Sequence, residues 1–187
     1  MPGQPQLSPW RHLPNAITLL RILLVPPIGW AILAREPRLA LGLIALAGFT
    51  DGLDGFLARR CGWQSRLGGI LDAAADKLLL VTCFVLLAVI GLAPWWLAAL
   101  VCGRDAVIAL GALAWRWLIG PLRPQPSLVS KACTLLQILY LLGVLAADLG
   151  WPVPPMLPLA WLVAALCLAS GADYVWRWSR RARAALR

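Results

Sequence analysis

The sequence predicts an all-α integral-membrane fold, with six transmembrane helices behind a short N-terminal interfacial segment, in one membrane domain over residues 1–187. Three observations predict it. The chain is 61% hydrophobic and 13% charged, with a mean hydropathy of +0.78, whereas soluble domains carry roughly 25% charged residues. Packing so much apolar material into a soluble core would leave too little polar surface to cover it. The apolar residues also fall into six runs, each near the ~20 residues that a spanning helix needs. Finally, the arginines lie between those runs and at the C-terminus rather than along a polar face.

Before the first run, Leu7–Pro14 is apolar with Trp10, Arg11 and His12, a composition suited to lying along the interface. His12 is the only histidine and reads as a headgroup-level residue rather than a catalytic one. The first run, Ile17–Ala34, follows a polar start without a small-residue cleavage site, so it is expected to be retained and not to be a signal peptide. Pro26 and Pro27 are expected to kink it. The remaining runs are Leu39–Ala58, Ile70–Leu92, Trp95–Trp115, Leu128–Ala147 and Leu157–Trp178. Backbone groups in lipid must be satisfied within their own segment, so each run is expected to be helical.

Basic residues alternate along the loops. Arg11 precedes the first helix; Arg59, Arg60 and Arg66 occupy the second loop; Arg116, Arg123 and Lys131 the fourth; and Arg177, Arg180, Arg181, Arg183 and Arg187 the tail. The third and fifth connections have none, and the first mixes Arg35 and Arg38 with Glu36. This asymmetry predicts a multi-pass protein of the cell inner membrane with both termini in the cytoplasm. The net charge of +9 therefore reads as attraction to anionic lipid, and no motif for nucleic acid accompanies it. Trp95, Trp96, Trp115, Trp117, Trp151, Trp176 and Trp178 cluster at run ends, as interfacial belts do. Of the five cysteines, four lie inside apolar runs and none forms a CxxC pair, so neither a disulfide nor a zinc site is expected.

Four of the eight acidic residues sit at the end of the second run and the start of the third: Asp51, Asp54, Asp72 and Asp76. An aspartate in a spanning helix costs ~2.5–3.5 kcal/mol on insertion scales, so each pair demands a compensating partner. Asp51 and Asp54 are three apart, and Asp72 and Asp76 four apart, which puts each pair on one helical face. A short connection makes the two helices antiparallel neighbours whose carboxylates can converge. Only Lys77 and Arg59 stand near in sequence, so divalent metal is the better counter-charge. All-oxygen ligation suits Mg²⁺ or Mn²⁺, and four carboxylates suffice for two ions of the kind that clamp a phosphoryl transfer. Gly55, Ala58, Gly68 and Gly69 beside them leave room for a ligand or for close helix packing.

The stretch Asp51-x2-Asp54-Gly55-x2-Ala58-Arg59-x8-Gly68-x3-Asp72-x3-Asp76 resembles the signature of the CDP-alcohol phosphotransferases at every fixed position. The opening Pro14-Asn15-x2-Thr18-x2-Arg21 resembles that of the bacterial phosphatidylglycerol-type members. The resemblance implies transfer of a phosphatidyl group from CDP-diacylglycerol to an alcohol, with release of CMP. It further implies metal ligation by Asp51, Asp54 and Asp72, with Asp76 as general base that also touches a second ion. Gly55, Ala58, Arg59 and Gly68 would line the CDP-lipid site, joined by Asn15, Thr18 and Arg21 at the nucleotide phosphates. It also implies a homodimer.

Charges elsewhere bear on the acceptor. Arg104 and Asp105 sit within the fourth run, either as an internal pair or with Arg104 holding an acceptor phosphate; the second is preferred because acceptors in this family commonly carry phosphate. Lys131 opens the fifth run and is either a second acceptor ligand or an ordinary flanking charge. Glycerophosphate-using members show Arg-Glu on the fourth helix and another arginine two turns on, whereas here Gly111 and Ala112 stand in that place. Together with Ser130-Lys131-x2-Thr134-x2-Gln137, this leans to the cardiolipin synthase branch and phosphatidylglycerol as acceptor, with glycerol 3-phosphate as the alternative. A transporter or proton relay is the non-enzyme alternative, since buried carboxylates mark ion paths too. Asp173 and Arg177 are placed for a local i,i+4 pair.

Overall fold

In the computed structural model the backbone is described for residues 13–60, 66–118 and 127–185, and side chains for 17–52, 68–69, 71–117 and 127–180. Six helices follow in order: α1 Leu13–Leu33, α2 Pro37–Arg60, α3 Arg66–Val89, α4 Trp95–Leu118, α5 Leu128–Asp148 and α6 Met156–Ala185. No strand occurs among the described residues. The all-helical expectation therefore holds, and the differences lie at the ends. α1 starts four residues before the expected Ile17 and takes in Pro14, because proline in a first turn lacks only an N–H that has no helical partner there. Leu7–His12 lie outside the described residues. α1 also continues through Pro26 and Pro27. α3 takes in the Gly68-Gly69 pair, which intrinsic propensity argues against. α6 runs on into the Arg/Ala-rich tail, both being good helix formers.

Three helices end on the same device. Arg35, Gly91 and Gly150 have φ of 58°, 78° and 84°. Each is followed by a residue whose N–H reaches back across the turn: Glu36 to Ala31 (2.9 Å), Leu92 to Leu87 (2.9 Å) and Trp151 to Ala146 (3.0 Å). These left-handed caps satisfy carbonyls that a helix end would otherwise leave bare, and they make the α1–α2, α3–α4 and α5–α6 turns tight. At the start of α5, the Ser127 hydroxyl accepts from the Ser130 N–H at 3.2 Å, as an N-cap should.

The chain divides into two compact units, Met1–Thr82 and Cys83–Arg187. In the first, α1 packs on α2. The buried stripe of α1 reads Thr18, Arg21, Val25, Ile28, Ile32, and that of α2 reads Ala40, Ile44, Ala47, in alternating steps of three and four that keep one helical face inward. In the second unit α6 packs on both α4 and α5, with Leu97, Val101, Leu141, Val144, Val163 and Ala164 in its core. Phe84 stacks on Tyr140 with centroids 5.8 Å apart, and Trp96 on Trp161 at 4.7 Å. Large apolar side chains such as Leu23, Phe49, Leu110 and Trp117 point outward while Arg21 and Arg104 are buried. That polarity is the reverse of a soluble protein and fits helices facing lipid. Among the described residues Trp95–Trp117, Leu128–Asp148 and Met156–Arg180 are each long and apolar enough to cross a membrane, and Ile17–Leu33 is a shorter apolar helix. α3 carries Asp72, Asp76 and Lys77 inside its apolar length.

One close approach yields a stability prediction. A Cβ on Gly111 in α4 would meet the Tyr174 ring of α6 at 2.8 Å, and that tyrosine is fixed by donating its hydroxyl to the Ile108 carbonyl at 3.0 Å. The ring cannot swing away without losing that bond. Gly111→Ala is expected to destabilise the protein by about 1–3 kcal/mol, read as a lower unfolding temperature in detergent.

Candidate active site

The α1 stripe carries Arg21 one turn after Thr18, so its guanidinium enters the first unit among apolar neighbours. There it meets three aspartates. Arg21 Nη2 lies 2.8 Å from Asp51 Oδ1 on α2, and Nη1 donates to Asp72 Oδ1 at 2.8 Å and Asp76 Oδ1 at 2.7 Å on α3. The arginine side chain is 1% exposed, against 42–46% for the three carboxylates. A buried cation therefore backs a row of half-open anions. Charge-assisted bonds of this kind are the strong ones, and a buried guanidinium without them would be prohibitive.

Ligand oxygens of Asp51, Asp72 and Asp76 all lie within 4.8 Å of one another. The donor set is wholly carboxylate, half-exposed and compact. That fits a hard divalent ion such as Mg²⁺ or Mn²⁺, which binds oxygen and keeps part of its water. Three carboxylates against one guanidinium leave a net charge of −2 among these four side chains, room for one dication.

The expected site residues are distributed as follows. Asp51, Asp72 and Asp76 come together. Asp54, Gly55, Ala58 and Arg59 lie on α2, with side chains outside the described residues. Asn15 lies on α1, likewise outside. Thr18 is buried in the α1 stripe, and Gly68 stands in the first turn of α3. To the cations near the carboxylates in sequence, Lys77 and Arg59, the fold adds Arg21, which approaches from 30 residues or more away. The signal for it was present: Thr18, Arg21, Val25, Ile28 and Ile32 share one face, so the arginine had to be buried.

Arg104, the other buried arginine among the described residues, belongs to the second unit. Nη1 donates to Asp105 Oδ1 at 2.6 Å, and Nη2 to the hydroxyls of Ser130 on α5 (2.5 Å) and Ser170 on α6 (2.9 Å). The internal pair is thus the arrangement present. Two turns beyond Ser130 on α5, Gln137 Nε2 points at the sulfurs of Cys133 and Cys167 (3.6 and 3.3 Å), which are 3.5 Å apart. Lys131 is exposed and lines a cleft of about 350 Å³ with Ser130, Thr134, Leu135 and Ile138. Ser130 joins that cleft to Arg104. Asp173 pairs with Arg177 at 2.6 Å along α6, as their spacing leads one to expect.

Residues 11–172 match the family model described as CDP-alcohol phosphatidyltransferase. The chain is 31% identical, over 93% of its length and 63% of the relative's, to a human cardiolipin synthase (CMP-forming). It is 32% identical, over 87% of its length and 56% of the relative's, to a rice chloroplastic CDP-diacylglycerol–glycerol-3-phosphate 3-phosphatidyltransferase. It is 33% identical, over 87% of its length and 30% of the relative's, to a cardiolipin synthase/mitochondrial hydrolase fusion protein of Schizosaccharomyces pombe. The chain spans less than two thirds of the length of these curated relatives. A match over most of the chain, on the helices that carry the clustered aspartates, places this protein in the CDP-alcohol phosphatidyltransferase family.

Proposed function

We propose that this protein transfers the phosphatidyl group of CDP-diacylglycerol to the hydroxyl of phosphatidylglycerol, releasing CMP, as one membrane domain of the cell inner membrane with its site and termini facing the cytoplasm. The observation that carries the reading is the convergence of Asp51, Asp72 and Asp76 on two helices of a family member. One or two divalent ions held by Asp51, Asp54, Asp72 and Asp76 would neutralise the diphosphate and draw charge from the phosphorus under attack. Asp76 accepts the acceptor's hydroxyl proton as its oxygen bonds to the phosphorus that bears diacylglycerol; the bond from that phosphorus to the CMP oxygen breaks, and CMP leaves with the electron pair. Gly55, Ala58, Arg59 and Gly68 line the nucleotide, with Asn15 and Thr18 at its phosphates. Lys131, at its open cleft, and Arg104, behind Ser130, serve the acceptor phosphate. A homodimer is the proposed assembly.

Glycerol 3-phosphate is the second reading, supported by the rice relative. Purified protein given CDP-diacylglycerol with Mn²⁺ or Mg²⁺ is expected to release CMP when phosphatidylglycerol is added and not when glycerol 3-phosphate is. The reverse pattern selects the second reading. No CMP with either acceptor, or with inositol phosphate or serine, overturns the transferase and leaves an ion path as the role of the carboxylates.

A further inference from the structure

We propose that Arg21 is an exchangeable counter-cation of the aspartate cluster: it holds Asp51, Asp72 and Asp76 together when no divalent ion is bound, and loading of the site displaces it from their oxygens. The inference rests on the metal reading proposed above and deepens it.

Geometry makes the competition direct. Arg21 takes Oδ1 of each of the three aspartates at 2.7–2.8 Å, and the ligand oxygens of those same residues lie within 4.8 Å of one another. A hard dication would draw such oxygens to about 2.0–2.2 Å and demand near-octahedral directions around itself. A guanidinium bonded to all three carboxylates competes with an ion for their oxygens. Charge points the same way. Asp51, Asp72, Asp76 and the fourth proposed ligand Asp54 carry −3 together with Arg21, so one dication brings them to −1 and a second to +1. Two ions with the arginine still in place would therefore repel it until an anion arrives.

Without Arg21 the half-exposed carboxylates would face one another at short range, which like charges disfavour. With it they are pre-positioned within a few ångströms of a ligating geometry. The arginine thus lowers the cost of the empty site at the expense of affinity, because part of the ion's binding energy goes into displacing it. Arg21 is a positioning residue in this role.

The test compares wild type, Arg21→Gln and Arg21→Lys for Mn²⁺ binding, by free-Mn²⁺ electron paramagnetic resonance, and for thermal unfolding with EDTA or saturating Mn²⁺. Exchange predicts that Arg21→Gln binds Mn²⁺ at least tenfold more tightly than wild type, with Arg21→Lys between them. It also predicts that Arg21→Gln unfolds well below wild type in EDTA and returns to within a few degrees of it in Mn²⁺. Unchanged or weaker Mn²⁺ binding in Arg21→Gln overturns the inference and leaves the metal reading standing. An equal loss of stability with and without Mn²⁺ also overturns it, marking Arg21 as a permanent brace. Wild type that binds no Mn²⁺ at all overturns both.

Discussion

Asp76→Asn is expected to abolish CMP release, with a loss of ~10²–10⁴-fold, the usual contribution of a general base. The amide keeps the shape of the side chain but has no lone pair basic enough to take the acceptor's proton. The fold should survive, because Arg21 retains Asp51 and Asp72 at 2.8 Å each and the carboxylate is half-exposed, so no buried charge is stranded. Removing one anion from the cluster also eases its self-repulsion. The check is paired: initial rates of CMP release from CDP-diacylglycerol, and thermal unfolding in the same detergent. Wild-type rates in this variant would remove Asp76 from the mechanism. A drop in rate matched by an equal drop in unfolding temperature would make it a structural residue.

The same cluster shows what could be read from residues in order. Hydropathy placed all six helices, since a run of twenty apolar residues has few alternatives, and the interval of four placed Asp72 and Asp76 on one face. Both are local periodicities. Helix ends were less legible: Gly68 and Gly69 weigh against a helix locally, yet α3 includes them, and Arg35 takes a left-handed cap that composition would assign to glycine or asparagine. Arg21 lay in plain view in an apolar run, where it costs as much as an aspartate. Its partners stand 30, 51 and 55 residues away, a distance that periodicity does not span. Extending the stripe of Val25, Ile28 and Ile32 backwards would have predicted its burial, though not whom it meets. The Arg104 cluster was harder still. Adjacent residues on a helix point about 100° apart, so pairing with Asp105 depends on the length of the arginine and on Ser130 and Ser170, which only the packing of α4, α5 and α6 brings near.

Arg104→Met is expected to cost about 3–5 kcal/mol of stability, the range for removing one partner of a buried ion pair. The guanidinium ties α4 to α5 and α6 through two bonds of 2.5 and 2.9 Å and pairs with Asp105 on α4 itself at 2.6 Å, and both it and Asp105 are nearly closed to solvent. Without it the Asp105 charge loses its counter-ion in a low-dielectric interior, and two serine hydroxyls lose their donor. The double substitution Arg104→Met/Asp105→Leu removes the stranded charge and should recover most of the loss, giving a coupling energy far above the few tenths expected of independent sites. Equilibrium unfolding of the single and double variants in mixed micelles measures this directly. The same variants decide whether Arg104 serves the acceptor phosphate. If Arg104 also serves the acceptor phosphate, the double variant restores stability while the acceptor KM stays raised. If the internal pair is its whole role, stability falls first, the double variant restores it, and KM returns with the fold. Lys131→Ala is the control, since an exposed side chain on the neighbouring cleft can lose acceptor affinity without any cost in stability.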